Sequence, residues 1–146
     1  EVEPFLAAAG TKTREALLDE LRVGEADPSE RGRFVIEVDG EAAGTMAFHR
    51  TNRRSRIAHL GGLAVHPGFR GRRVADEAAL LLARHLFDEL GFHRLELEVY
   101  GFNDRALAHA ERIGFVREGV RRGAYDRDGE WVDGVCFGLL REDLDR

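Results

Sequence analysis

The chain has 146 residues, 43% of them hydrophobic and 34% charged, with a formal net charge of −5. A chain this long buries roughly 70% of the surface its unfolded form exposes, so its core needs neither disulfide nor metal. The balance excludes a disordered or collagen-like chain, and the negative charge argues against nonspecific nucleic-acid binding.

One cysteine, Cys136, excludes an intrachain disulfide framework and a Cys-rich zinc site, and it fits a reducing compartment. The longest apolar run, residues 78–83, falls far short of the ~20 residues of a membrane span, and the start lacks a signal-peptide pattern. A cytoplasmic protein is the expectation.

In chain order, Pro4 and Thr13 open two short helical patterns, the first stopping at Gly10 and the second running through Leu21. Residues 24–32 read as a loop. Phe34 to Val38, then Asp39-Gly40, then Ala43 to His49 form a hairpin pattern. A third strand runs from about Arg56 to Val65, and Gly61-Gly62 inside it marks a bulge or a close backbone approach. The longest helix is expected from about Arg73 to Leu90, ended by Gly91, with Val74, Ala78, Leu81, Leu82, Leu86 and Leu90 on one face. Leu95 to Tyr100 alternates with period two. Asp104 to Ile113 reads as a helix stopped at Gly114, and a hairpin turning at Asp128-Gly129 closes the chain. This order predicts a mixed α/β domain around one central sheet.

The chemistry concentrates between the third strand and the long helix. There a buried strand enters a Gly-containing turn that opens directly into a helix, through Val65, Pro67, Gly68, Arg70, Gly71, Arg72 and Arg73. The first amides of a helix lack internal partners, and its dipole favours an anion, so a phosphate or pyrophosphate is one reading. A plain turn with solvated arginines is the other. The remaining patterns exclude more than they assign. No helix carries histidines at metal-ligand spacing, and serines at 29 and 55 alone leave no hydrolase elbow. Arg50, Arg53, Arg54 and Arg56 cluster at a hairpin tip, where a solvated turn explains them better than RNA does. Cys136 reads as core.

Arg70 to Ala75 resembles the acetyl-CoA signature of the GNAT acetyltransferases, which runs Arg/Gln, any, any, Gly, any, Gly/Ala. Arg73 stands at the middle glycine. Leu97-Glu98-Val99, Asn103, Arg105-Ala106 and Glu111 to Phe115 are similar to the family's second half. Glu118-Gly119, Tyr125 and Trp131 to Asp133 resemble the branch acting on ribosomal-protein N-termini and spermidine.

The resemblance covers roughly Phe34 to the end. It implies an α/β GNAT-like single domain over residues 1–146, with a mixed, mostly antiparallel central sheet flanked by helices. The family's first strand, which precedes its first helix, has no counterpart in these residues. The resemblance further implies acetyl-CoA as cosubstrate, no metal, and transfer to a small-molecule or peptide amine by direct attack. A homodimer is left open; neither a membrane nor a nucleic-acid partner is expected.

Leu63, Ala64 and Val65 would pair with the pantetheine arm, and the Val65 amide would polarise the thioester carbonyl. Arg70, Gly71, Arg72, Arg73, Val74 and Ala75 would hold the pyrophosphate, the Arg73 amide keeping its place if that residue is helical. Asn103 and Ala106 would flank the arm, with an ordinary helix cap as the alternative for Asn103. Glu98 lies where ribosomal-protein acetyltransferases hold a proposed general base, and it is the expected catalytic residue. The family's tyrosine acid is replaced by Ala110. Tyr125 is expected to pack on Trp131 rather than to replace that acid. Glu96, Glu98, Asp126, Asp128 and Asp133 mildly favour a cationic acceptor. Two other classes stand beside the enzyme: a noncatalytic acyl-CoA-binding module and, more weakly, a nucleic-acid-binding domain.

Overall fold

The computed structural model describes residues 27–71 and 73–145. The helical patterns expected from Pro4 and Thr13, and the pyrophosphate contact expected of Arg72, lie outside the described residues.

The first hairpin joins β1 (Arg31–Val38) to β2 (Glu41–Asn52). Its turn places Asp39 at φ 53° and Gly40 at φ 82°, the two left-handed residues that a tight hairpin requires. The third strand, β3 (Ile57–Val65), returns antiparallel to β2. After it, a single 3₁₀ turn at Pro67–Phe69 leads to α1 (Val74–Arg84), which runs on as one π turn over His85–Glu89. Strand β4 (Arg94–Tyr100), helix α2 (Asp104–Ile113), β5 (Val116–Arg127) and β6 (Glu130–Leu140) follow.

The six strands lie in the order β1-β2-β3-β4-β6-β5, and every pair is antiparallel except β3 with β4. This is the expected mixed, mostly antiparallel sheet. The core sits between one sheet face and the helices. Ala58, Leu60, Leu95, Val99, Phe137 and Leu139 come from the strands, and Val74, Ala78, Leu82, Leu86, Ala106, Ala110 and Ile113 from α1 and α2.

Two sequence-based placements need correction. Leu81 is 68% exposed, because at 100° per residue it falls outside the stripe that Ala78, Ala79, Leu82, Ala83 and Leu86 bury. Cys136 is half-buried rather than core. It pairs with Glu98 across β6 and β4, so the two side chains share the face opposite the helices.

The irregularity that positions the site is the split between β3 and β4. Their parallel pairing covers only Ile57 with Arg94, Ala58 with Leu95 and His59 with Glu96. Beyond that point β3 continues against β2 alone. At the split, Thr45 faces Ala64 while Ala47 faces Gly61, so Met46 opposes both Gly62 and Leu63. This is the bulge expected at the glycine pair. Gly62 takes φ 62°, which an L side chain rarely adopts, and the extra residue increases the local twist that carries β3 away from β4.

Candidate functional site

The end of β3 and the first turn of α1 form one wall of a cleft, and α2 forms the other. Val65, Phe69, Arg70, Gly71, Arg73, Val74, Ala75, Asp76, Asp104, Arg105, Ala108, His109 and Arg112 line a volume of about 460 Å³. Of the residues expected to hold a cosubstrate, Val65, Arg70, Gly71, Arg73, Val74 and Ala75 therefore meet at one place. Leu63 and Ala64 precede them on the stretch of β3 that has no β4 partner.

The turn is held by its own side chains. The His66 Nδ1 accepts from the Gly68 amide at 3.2 Å, and Arg70 Nε donates to the Val65 carbonyl at 3.2 Å. Arg73 differs from the helical conformation expected of it: it is the N-cap of α1 at φ 57°, ψ 22° and makes no side-chain cap bond. Gly71 at φ 82° also lies in the left-handed region. The chain thus turns into the helix through left-handed residues, and Arg73 occupies a conformation that suits glycine better.

Asn103 caps α2, accepting from the Ala106 amide at 3.2 Å. The helix cap expected as the alternative for Asn103 is therefore present, and Asn103 itself is not among the residues that line the cleft. Ala106 is buried in the core and does not line the cleft either. Ala110 is 1% exposed and belongs to the core, so no polar group comes from the family's tyrosine position.

Two cleft residues escaped the sequence reading. Asp76, 9% exposed, is the third residue of α1, and His109, 6% exposed, faces it from α2. His109 Nδ1 lies 2.6 Å from Asp76 Oδ1. Arg112 donates to the same carboxylate through Nε at 2.9 Å and Nη2 at 3.1 Å. The Arg112 guanidinium, with His109 adding to it, holds the Asp76 carboxyl below the usual carboxylate range against the opposing effect of burial. Burial in turn pushes the His109 imidazole below its ordinary value, despite the carboxylate beside it. One signal was legible: His109 shares the buried stripe of Ala106, Ala110 and Ile113 at helical spacing.

Across the split lies Glu98, whose side chain is 13% exposed. The Tyr125 hydroxyl donates to its Oε1, Arg121 Nε lies 3.7 Å from its Oε2, and the Cys136 thiol stands 3.9 Å away. Tyr125 stacks edge-on against Tyr100 at 5.8 Å, while Trp131 pairs with Asp126 and is 69% exposed. The expected packing of Tyr125 on Trp131 is therefore absent. A two-residue bulge in β5 explains this: Arg121 faces Gly134 but Tyr125 faces Val132, which moves Tyr125 along β6 toward Glu98. Gly134 leaves the room, since a Cβ there would collide with the Glu98 carboxylate and come within 2.6 Å of the Tyr125 ring. Burial first, then the bond to Glu98, pushes the Tyr125 phenol up to about 12.

The other acidic residues expected beside an acceptor are mostly engaged elsewhere. Glu96 pairs with Arg94 at 3.0 Å, Asp133 accepts from the Gly123 amide at 2.8 Å, and Asp126 accepts from the Gly129 amide at 3.0 Å. The arginine cluster at the β2–β3 tip is likewise internal in part. Arg50 lies over the Phe92 ring at 4.7 Å, Arg53 pairs with Glu30, and Arg56 donates to the Gly91 carbonyl. Among the described residues no helix is long and apolar enough to cross a membrane.

Comparison with known proteins agrees with this geometry. The family model described as "Acetyltransferase (GNAT) family" matches residues 2–115. The SPbeta prophage-derived uncharacterized N-acetyltransferase YokL of Bacillus subtilis is 36% identical over 77% of this chain and 64% of its own length. The spermidine N(1)-acetyltransferase of Escherichia coli is 31% identical over 75% of this chain and 58% of its own. The chain thus spans about three fifths of the length of the curated relatives it matches. Among solved structures, Mycobacterium smegmatis RimJ in complex with CoA-disulfide superposes with a TM-score of 0.83 at 26% identity, covering 99% of this chain and 72% of RimJ. A matching family model over most of its length, the split sheet and the turn at the head of α1 together establish that this chain belongs to the GNAT acetyltransferase family.

Proposed function

We propose that the chain transfers an acetyl group from acetyl-CoA to a primary amine by direct attack in a ternary complex. The observation that carries this reading is the split between β3 and β4. It leaves a strand edge from Leu60 to Val65 leading straight to an anion-ready helix start, with Glu98 on the opposite strand.

The residues present fit the cosubstrate. The N-cap residue Arg73 makes no side-chain cap bond to the first turn of α1, whose amides suit an anion, and Arg70, Arg73 and Arg105 line the same cleft. The diphosphate belongs there, on the backbone from Arg70 to Ala75. The pantetheine amides pair along Leu63, Ala64 and Val65, and the α2 start at Asn103 and Ala106 is the segment expected beside the arm. The Val65 amide polarises the thioester carbonyl.

Acetyl transfer needs a neutral amine, and alkylamines ionise near ~10, so at neutral pH a base must take a proton. Glu98 takes it, directly or through one water. The amine nitrogen then bonds to the acetyl carbon as the carbon–sulfur bond breaks, the sulfur keeps the electron pair, and the surplus proton on the new amide nitrogen passes to the thiolate or to solvent. Thiols ionise near ~8.5, so the thiolate can leave without a donated proton, which suits a chain whose tyrosine position is Ala110. Tyr125 is a poor acid with its proton held so firmly. Its part is to aim Glu98.

The likeness to a spermidine N(1)-acetyltransferase makes a polyamine the first acceptor to try, with aminoglycosides and N-terminal peptides beside it. The buried Ala110 favours one competing reading, a noncatalytic module that binds acyl-CoA. Calorimetry with CoA and a thiol-release assay across the three acceptor classes test both. Absence of CoA binding defeats both readings. Binding with no thiol release from any acceptor leaves the module.

A further inference from the structure

The first turn of α1 holds a contradiction if it receives a diphosphate. Its third residue, Asp76, is a buried carboxylate beside the amides that would meet the anion. Two negative charges a few ångströms apart repel, more strongly where burial lowers the effective dielectric. Something must cancel that charge.

Arg112 cancels most of it through two bonds to the carboxylate, and His109 lies against the same Oδ1. An ionised carboxylate only accepts, so His109 Nδ1 carries the hydrogen in this contact. In the neutral ring Nε2 is then a lone pair. It has no protein partner among the described residues, and it is not a sealed, unsatisfied atom. His109 itself lines the cleft. A lone pair there repels an incoming anion, whereas an N–H attracts it.

Resting on the cosubstrate reading above, we propose that His109 is a binding residue for the diphosphate end of CoA, engaged through Nε2 and taking up a proton from solvent as the anion arrives. Asp76 is the positioning residue that fixes the ring's tautomer and orientation, and Arg112 keeps Asp76 ionised. The charged groups beside the imidazole are Asp76 from α1 and Arg112 from its own helix, and those lining the same cleft are Arg105 and Asp104 from α2 and Arg70 and Arg73 from the turn. An imidazole is the side chain suited to take up a proton near physiological pH.

The test uses dephospho-CoA, whose diphosphate has no titrating group near neutrality, and needs no acetyl transfer. Calorimetry in buffers of different ionisation enthalpy counts the protons taken up by the unaltered protein. The expected result is uptake of a fraction of a proton at about pH 6.5, with affinity rising as pH falls, at most tenfold per pH unit. In His109→Gln, which keeps a donor toward Asp76, uptake vanishes and affinity is flat over the same range. Ring NMR of the unaltered protein, with and without dephospho-CoA, reads the same shift if that variant fails to fold. Binding without proton uptake, or uptake that persists in His109→Gln, overturns the role of His109 and leaves the cosubstrate reading intact. No binding at any pH overturns both.

Discussion

Tyr125 and Glu98 are 27 residues apart in sequence and are joined by a hydrogen bond that depends on an irregular strand and a missing side chain. The bulge in β5 moves Tyr125 along β6, and Gly134 leaves the space in which phenol and carboxylate meet. The carboxylate is 13% exposed, with the phenol on Oε1 and Arg121 and Cys136 near Oε2. The general-base role proposed for Glu98 rests on a carboxylate fixed in this way.

Glu98→Gln keeps the shape and the bond from Tyr125 but removes the basic oxygen. Turnover should fall about 100- to 10,000-fold, with the CoA dissociation constant unchanged. Raising the pH should restore part of the rate, because more amine is then already neutral. Steady-state kinetics from neutral to alkaline pH, beside CoA calorimetry, check this. Near-normal turnover at neutral pH would mean that Glu98 is not the base.

Tyr125→Phe removes only the donor. A bond to a charged acceptor contributes about 1.5–3 kcal/mol, but a half-buried carboxylate can recruit water in its place. The expected loss in kcat is about tenfold, with little change in CoA affinity. A loss as large as that of Glu98→Gln would assign the phenol a direct part in proton transfer.

Gly134→Ala tests the space between them. The new methyl group meets the movable end of Glu98 and the edge of Tyr125, so the pair must separate. Activity should drop at least tenfold while the thermal midpoint moves by only a few degrees, since one strained contact costs about 1–3 kcal/mol. Parallel thermal melts and turnover assays distinguish this from general unfolding. An active, equally stable variant would show that the pair's contact does not matter.

Arg73→Gly should stabilise the protein. A left-handed arginine costs about 1–2 kcal/mol, offset by roughly 0.4–1 kcal/mol for the freer unfolded glycine chain, so Tm should rise by about 1–3 °C. Arg73→Val should lower it, because a β-branched residue tolerates that conformation least. If the two variants melt alike, the residue is not held left-handed in solution.

Stability should fall on acidification in two windows. His59 and His109 are both pushed below the ordinary histidine value, chiefly by burial, so the folded form favours their neutral state. That contribution is complete above the unfolded value of about 6.5 and is lost as pH falls through the lower folded values. Asp76 and Glu118, held down by Arg112 and Arg94, give the same sign in the carboxylate range below about pH 4. Thermal melts from pH 8 to 3 read both, and His59→Gln or His109→Gln should flatten the upper window. A Tm independent of pH between 7 and 5 would refute the histidine part.

Local chemistry makes much of the molecule legible in the sequence. Asp39-Gly40 and Asp128-Gly129 marked their hairpins, Asn103 and Gly114 bounded α2, and the glycine pair in β3 marked the bulge. Each of these is a demand that the backbone makes of a few adjacent residues, so it survives in the sequence. The turn from Val65 into α1 was legible for the same reason. The conformation of Arg73 was not, because the sequence there departs from the glycine that the conformation favours.

What only the tertiary structure decided is who meets whom across elements. Asp76 and His109 lie 33 residues apart and meet because α1 and α2 pack side by side, and Tyr125 reaches Glu98 because β5 slips by two residues. Period-two alternation names the face of a strand but carries no information about an irregular register. A buried charge gives no sign in sequence of the partner that neutralises it. Those choices follow from how strands and helices close around one shared core, which no local pattern specifies.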